Sequence, residues 1–337
     1  MEKLFDKIYG SLAGLIIGDI MGMPSEFLTP LQIKEQFGYI DSFCEPAKDH
    51  IHPDLKRGQI TDDSEQSIYL IEQYHRDKKI TVKNSARAIQ KWAKEKDAFN
   101  KSYLGPSTAR ALKRIEEGDD PHETGSFGVT CGSAMRVVPI GLIHPGDFKG
   151  TLPDAIKSSL PTHGTDVAIS AAAAIACAVS EALSNRATVD SVISAAIRGA
   201  RDGSKHGRPA VAASVEKRIE LALDLVKKTK TLKQAGQILF DYIGCGMDAN
   251  EVVPVVIALF YAGNGETMQL IRAGANIGGD TDTIAALAGA LGGAFRGINS
   301  INANLLQEAE KINNLNVHKL ANMVIETSDV FQTLEVL

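Results

Sequence analysis

Apolar residues recur every three or four positions along most of this chain, the period of a helix, and strand-type alternation is almost absent. Leu4, Ile8, Leu12 and Leu15 set out a first helix over residues 4–17. Gly10 and Gly14 allow it to pack tightly, and Gly18-Asp19 predicts its end. A short helix at 30–37 follows, then a stretch at 38–58 rich in Asp, Pro and His, whose length favours a functional loop. Ile68, Leu70, Ile71 and Tyr74 mark the next helix, starting at Asp62, and further ones are expected at 85–96 and 106–117. Beyond Pro153 the pattern predicts helices at 152–159, 166–183, 188–201, 209–227, 232–242, 251–261, 266–275 and 282–295, with weaker segments after them. Residues 331–337 alternate and fit a strand or a frayed tail.

No Pro/Ser-rich linker, charge block or fixed-period repeat divides the sequence. The expectation is an all-α fold, a single compact domain over residues 1–337 with many helices crossing. Small residues at 171–178 and 285–294 imply helices at close axial distance.

Composition narrows the function. The 337 residues are 44% hydrophobic and 23% charged, with a net charge of −5, which suits a soluble globular protein and gives no bulk basic surface for nucleic acid. The four cysteines, Cys44, Cys131, Cys177 and Cys245, are widely spaced, which argues against a disulfide scaffold or zinc ribbon and for a reducing compartment. The apolar runs near Leu12 and Val167 are too short to span a membrane, so a cytoplasmic protein is expected.

Two stretches carry unusual chemistry. Asn276-Ile-Gly-Gly-Asp280-Thr-Asp282-Thr283 runs from a glycine turn into a small-residue helix, and Thr61-Asp62-Asp63-Ser64-Glu65 follows another glycine turn at the head of a helix. Asp and Thr are ordinary helix caps, but a helix start needs one cap and each cluster offers three or more oxygen donors. Hard oxygen donors without His or Cys suit magnesium or manganese. Facing one cavity, four carboxylates would repel unless cations neutralised them, and the charge count fits two divalent ions.

Together with Gly18-Asp-Ile-Met-Gly-Met-Pro-Ser-Glu26-Phe, Gly132-Ser-Ala-Met-Arg136 and Thr162-His163, these clusters resemble, in order and spacing, the ADP-ribosylglycohydrolase family over nearly the whole chain. The resemblance implies a binuclear magnesium or manganese centre held by Thr61, Asp62, Asp63, Asp280, Asp282 and Thr283, where an activated water cleaves a ribosyl glycosidic bond. It implies proton transfer by Glu26, on a mobile loop beside the metals, with Asp62 or Asp63 sharing the role of base. It also implies a substrate loop at 125–133, with Gly128, Cys131, Gly132 and Ser133 near the ligand and His163 on its distal side. Asp19 reads as a helix-end or supporting residue, Arg136 as a phosphate neighbour or ion-pair partner, and His50-Ile-His52 as a solvated loop.

Many family members carry Asn where this chain has Cys131, which opens the question of substrate. Three readings follow: removal of ADP-ribose from a protein Arg or Ser side chain, hydrolysis of a small N-ribosylated metabolite such as a nucleoside, or a silent protein that keeps the fold.

Overall fold

A computed structural model describes residues 2–101 and 104–336 of the chain, with seventeen α-helices and no strand among them. The first half holds α1 (Glu2–Gly22), α2 (Pro30–Phe37), α3 (Asp62–Asp77), α4 (Val82–Glu95), α5 (Pro106–Glu116), α6 (Gly132–Met135), α7 (Val138–Ile143) and α8 (Phe148–Ser159). Then come α9 (Asp166–Ala182), α10 (Val189–Gly203), α11 (Val215–Val226), α12 (Leu232–Tyr242) and α13 (Ala249–Ala262). The last four are α14 (Thr267–Ala275), α15 (Thr281–Arg296), α16 (Ala303–Asn313) and α17 (Val317–Val336). The all-α expectation is met, and no single described helix is long and apolar enough to cross a membrane.

The axis of the fold is the pair α1 and α15, which run antiparallel in backbone contact. A Cβ on Gly10 would come within 2.9 Å of Gly293 O, one on Gly14 within 2.1 Å of Gly289 O, one on Gly18 within 2.2 Å of Ala285 O, and one on Gly22 within 2.2 Å of Thr281 O. Residues four apart share one helix face, so these positions form a side-chain-free seam on each partner. Ser11 spans the seam, donating to Ala290 O at 2.9 Å. The other faces of α1 bury Leu12, Leu15, Ile16, Ile17 and Ile20 completely or nearly so, each worth roughly 1.5–3 kcal/mol relative to exposure.

Two sequence expectations are corrected. Helix α1 does not stop at Gly18-Asp19 but continues to Gly22, because these glycines serve close packing rather than chain reversal. Residues 331–336 continue α17 rather than forming a strand, and Leu337 lies outside the described residues. Boundaries also shift elsewhere: α11 begins at Val215, after a Ser214 N-cap, and α8 begins at Phe148, after an Asp147 N-cap.

The irregular stretch between α2 and α3 is tied down at both ends. Asn276 reads both backbone groups of Ile40, accepting from its N–H at 2.9 Å and donating to its carbonyl at 2.8 Å. Asn313 accepts from Ile60 N–H at 3.1 Å and donates to Gly58 O at 2.8 Å. These contacts hold the loop over the α3 N-terminus, where the first acidic cluster sits.

Candidate active site

The α3 N-terminus is set by α1. Thr61 is the N-cap, its hydroxyl accepting from Asp63 N–H at 3.3 Å. That hydroxyl donates in turn to Asp19 Oδ1 at 2.8 Å, and the fully buried Asp19 also accepts from the backbone N–H of Thr61 and, at 3.2 Å, of Ser64. A carboxylate from the last turn of one helix therefore satisfies the orphan donors at the start of another. Burial lifts the Asp19 carboxyl to about 7, with the Asp282 charge adding to it against the hydrogen bonds from Ser64 and Thr61.

The α15 N-terminus is built by two glycines. Gly278 and Gly279 have φ of 89° and 78°, and a Cβ on Gly279 would lie 1.9 Å from Cys245 O, so no other residue fits there. The turn is stitched to the 26–28 segment: Phe27 N–H donates to Gly279 O at 2.7 Å and Gly279 N–H to Leu28 O at 2.9 Å. Asp280 occupies the N-cap position, yet its side chain makes no capping bond. Thr281 donates to Gly22 O at 2.8 Å, anchoring the turn on α1, and Asp282 accepts from Thr283 N–H at 2.9 Å. The cap explanation thus covers Thr61 but not the carboxylate of Asp280.

These helix ends meet. Glu26, Asp280 and Asp282 are all buried and each offers a carboxylate oxygen within 4.8 Å of the other two, while Asp62 and Asp63 line the same cavity. Burial is the first cause, and the Asp282 charge the second, of carboxyls at Glu26, Asp62, Asp63 and Asp280 held well above their usual range. Among the described residues, no Lys or Arg lines the cavity. Asp63 Oδ2 is buried without a hydrogen-bond partner among the described residues. An orphaned buried oxygen in a dense set of hard donors is what a divalent cation would satisfy, so the residues fit such an ion.

The cavity, about 170 Å³, has the carboxylates on its floor and Thr130, Cys131, Gly132, Met135 and His163 on one wall. Gly132 is required beside His163, since a Cβ there would lie 2.5 Å from the imidazole. The Cys131 thiol donates to Asp280 Oδ2 at 3.1 Å, and burial together with the Asp280 and Asp63 charges raises it well above its ordinary value. At this position the cysteine is therefore a hydrogen-bond donor to the floor. His163 is buried and neutral, its pKa pushed well below the usual value by burial and by the Arg136 and Arg110 charges. It sits 2.9 Å from Thr130 Oγ1 and 2.7 Å from Thr162 Oγ1.

The other expected residues stand just outside the lining. Ser133 donates to Ala168 O at 3.3 Å, Gly128 accepts from Thr165 Oγ1 at 2.5 Å, and both brace the wall against α9 and the turn before it. Thr61 is engaged by Asp19 and by its own helix. Asp19 takes the supporting place expected for it. Arg136 is buried, has no carboxylate within ion-pair distance among the described residues, and does not line the cavity. In the His50-Ile-His52 segment Ile51 is exposed, but the two histidines are not the solvated pair expected. His50 Nε2 lies 2.7 Å from Met23 O, and the buried His52 lines the cavity with Nε2 at 3.0 Å from Glu26 Oε2. The sequence signal for His52 was the length of its loop, which nothing in the local pattern tied to Glu26.

The sequence matches the ADP-ribosylglycohydrolase family profile over residues 1–332. It is 36% identical over 319 residues to the uncharacterized protein YegU of Escherichia coli, covering 94% of this chain and 95% of that protein. It is 26% identical over 179 residues to the ADP-ribosyl-[dinitrogen reductase] glycohydrolase of Rhodospirillum rubrum, covering 51% and 56% of the two chains. Against the ADP-ribosylarginine hydrolase Tri1 of Pseudomonas putida it is 23% identical over 192 residues, covering 52% and 46%. A solved structure titled ADP-ribosylglycohydrolase-related protein complex shares the fold, with a TM-score of 0.71 at 21% identity over 98% of this chain and 99% of that one. With the family profile matched from end to end, the chain belongs to the ADP-ribosylglycohydrolase family and is a glycosidase of the kind that hydrolyses ribosyl linkages.

Proposed function

We propose that this glycosidase removes ADP-ribose from a modified protein side chain, arginine first, at a site that takes two divalent cations, magnesium or manganese. The observation that carries the reading is the convergence of Glu26, Asp62, Asp63, Asp280 and Asp282 in one cavity, with Asp63 Oδ2 left without a partner among the described residues. A protein substrate draws support from the name of the Rhodospirillum relative, and the arginine linkage from that of the Pseudomonas relative.

In this reading Thr61, Asp62, Asp63, Asp280, Asp282 and Thr283 hold the cations, with Thr61 contributing through its remaining lone pair. Bound there, the cations would polarise the ribose hydroxyls and make a water more acidic. The chain's own residues do the rest. Glu26, as its carboxylate, takes a proton from the attacking water as the new bond to the anomeric carbon forms, and its burial favours the protonated acid that results. It returns that proton to the guanidine nitrogen as the old C–N bond breaks, which balances the hydrolysis. Gly132, Cys131 and His163 form the wall along which the ribose and diphosphate lie, with Gly128 and Ser133 behind it. The four cysteines are free thiols, in keeping with a cytoplasmic setting.

A second reading, hydrolysis of a small N-riboside, draws on Cys131 standing where many relatives carry Asn. Turnover of ADP-ribosyl-arginine, ADP-ribosyl-serine peptides and simple nucleosides with each metal separates the readings, ADP-ribosyl-arginine being expected to be fastest. Asp280→Asn and Asp62→Asn should each abolish turnover in folded protein. Undiminished activity in either variant sinks the proposal.

A further inference from the structure

Among the described residues, Arg136 is the only large cationic side chain that is fully buried, and its hydrogen bonds run two ways. Nη1 donates to Gln66 Oε1 at 2.8 Å, and Gln66 Nε2 donates to Asp62 Oδ2 at 2.9 Å. Nη2 donates to Thr162 Oγ1, which is 2.7 Å from His163 Nδ1, and His163 Nε2 is 2.9 Å from Thr130 Oγ1. Thr130 in turn donates to Ser107 Oγ at 3.3 Å. Gln66 and Thr162 are buried, so water is not an alternative partner for them.

A guanidinium has donors and no acceptor, so it sets the sense of every bond leading away from it. On one arm, Gln66 must present its oxygen to Arg136 and so its NH2 to Asp62. On the other, the Thr162 oxygen accepts from Arg136 and its single proton is left for His163 Nδ1. The imidazole proton then belongs on Nε2, where Thr130, already donating to Ser107, accepts it. Both ends of the second arm demand the same tautomer.

We infer that Arg136 is a positioning residue for both halves of the site, orienting Asp62 through Gln66 and fixing His163 as its Nε2–H tautomer through Thr162, so that His163 holds Thr130 and the 130–132 wall. The inference rests on the reading above, in which Asp62 serves the cations and His163 the substrate.

Arg136 variants risk misfolding, so the arms are tested through Gln66 and Thr162 in the full chain. With ring-15N-labelled histidine, NMR should show His163 neutral at pH 7 with its proton on Nε2, and Thr162→Val should move the proton to Nδ1 or mix the tautomers. Gln66→Met should leave the His163 signals in place and weaken Mn2+ binding, titrated calorimetrically, by about tenfold to a hundredfold, as loss of a partner behind a ligand does. Gln66→Glu, which keeps the Arg136 contact but loses the donor to Asp62, should weaken it as well. Nδ1 protonation or a doubly protonated ring in the wild type, an unchanged tautomer in Thr162→Val, or unchanged Mn2+ affinity in both Gln66 variants would overturn the inference. If the wild type binds no Mn2+, the functional reading fails while the tautomer measurement still decides the role of Arg136.

Discussion

Replacing Gly18 with alanine tests whether the α1–α15 seam sets the geometry of the acidic site. The new Cβ would sit 2.2 Å from Ala285 O, 2.5 Å from Ala285 C and 2.7 Å from Ala286 Cα. All three are backbone atoms, so no side chain can rotate away. Reaching ordinary contact at 3.4 Å requires the two helices to part by roughly 1.2 Å at that point. Overpacking of this kind costs about 1–3 kcal/mol, and the backbone contact places it at the upper end. Against it stands the gain of alanine over glycine inside a helix, about 0.5–1 kcal/mol. The expected net loss is about 2–2.5 kcal/mol in urea unfolding.

The functional effect should be larger than the thermodynamic one. Asp19 is the next residue, and Asp282 lies across the seam beside Gly22. Ligand sets tolerate about 0.5 Å of error, and a misplacement of about 1 Å can cost about a hundredfold in rate. Gly18→Ala should therefore lose about a hundredfold in kcat/KM on ADP-ribosyl-arginine and bind Mn2+ more weakly. Gly10→Ala, at the far end of the seam and 2.5 Å from Gly297 C, should lose similar stability while keeping Mn2+ affinity. A Gly18→Ala protein that gains stability, as helix propensity alone predicts, with unchanged Mn2+ affinity, would refute the reasoning.

Two further predictions follow from the site. The Asp19 carboxyl titrates at about 7 rather than near 3.8, so its protonated form is favoured by folding, a contribution complete below about pH 4 and lost as pH rises through 7. Glu26, Asp62, Asp63 and Asp280 shift in the same direction. Calorimetric scans of metal-free protein should show Tm falling from pH 5 to pH 8 and recovering with Mn2+ at pH 8, and a metal-free Tm that rises over that range would contradict the assignment. His52→Gln should lower kcat by about tenfold, because its ring stands 3.0 Å from Glu26 Oε2, while leaving Mn2+ binding near wild type; a change confined to KM would place His52 in substrate binding instead.

Local chemistry in the sequence foretold the helical class and the two acidic clusters, because hydrophobic period, caps and excess oxygen donors are all readable within a few residues. Thr61 and Asp280 show where that reading divides: both occupy N-cap positions, but only Thr61 caps. Gly18-Asp19 misled because glycine ends helices as often as it lets them touch, and the deciding partner, Ala285, is remote in sequence. Asp19, Gln66, Arg136 and His52 gain their roles from partners 42, 70 or 26 positions away, and no local pattern encodes such pairings.

The antiparallel match of α1 with α15 bears on how the chain is made. Ser11 bonds across the seam to a residue 279 positions downstream, so α1 is synthesised long before the surface it must lie against. Contacts of such separation are slow to form, and a helix apolar on several faces waits exposed in the meantime. The acidic residues gain by the same delay. Asp280 and Asp282 reach Asp62 and Asp63 only when the last third of the chain arrives, so the first acidic cluster can stay hydrated until then. Divalent cations present at that moment would ease the closing step, which makes refolding rate in the presence and absence of Mn2+ a direct view of the site being assembled.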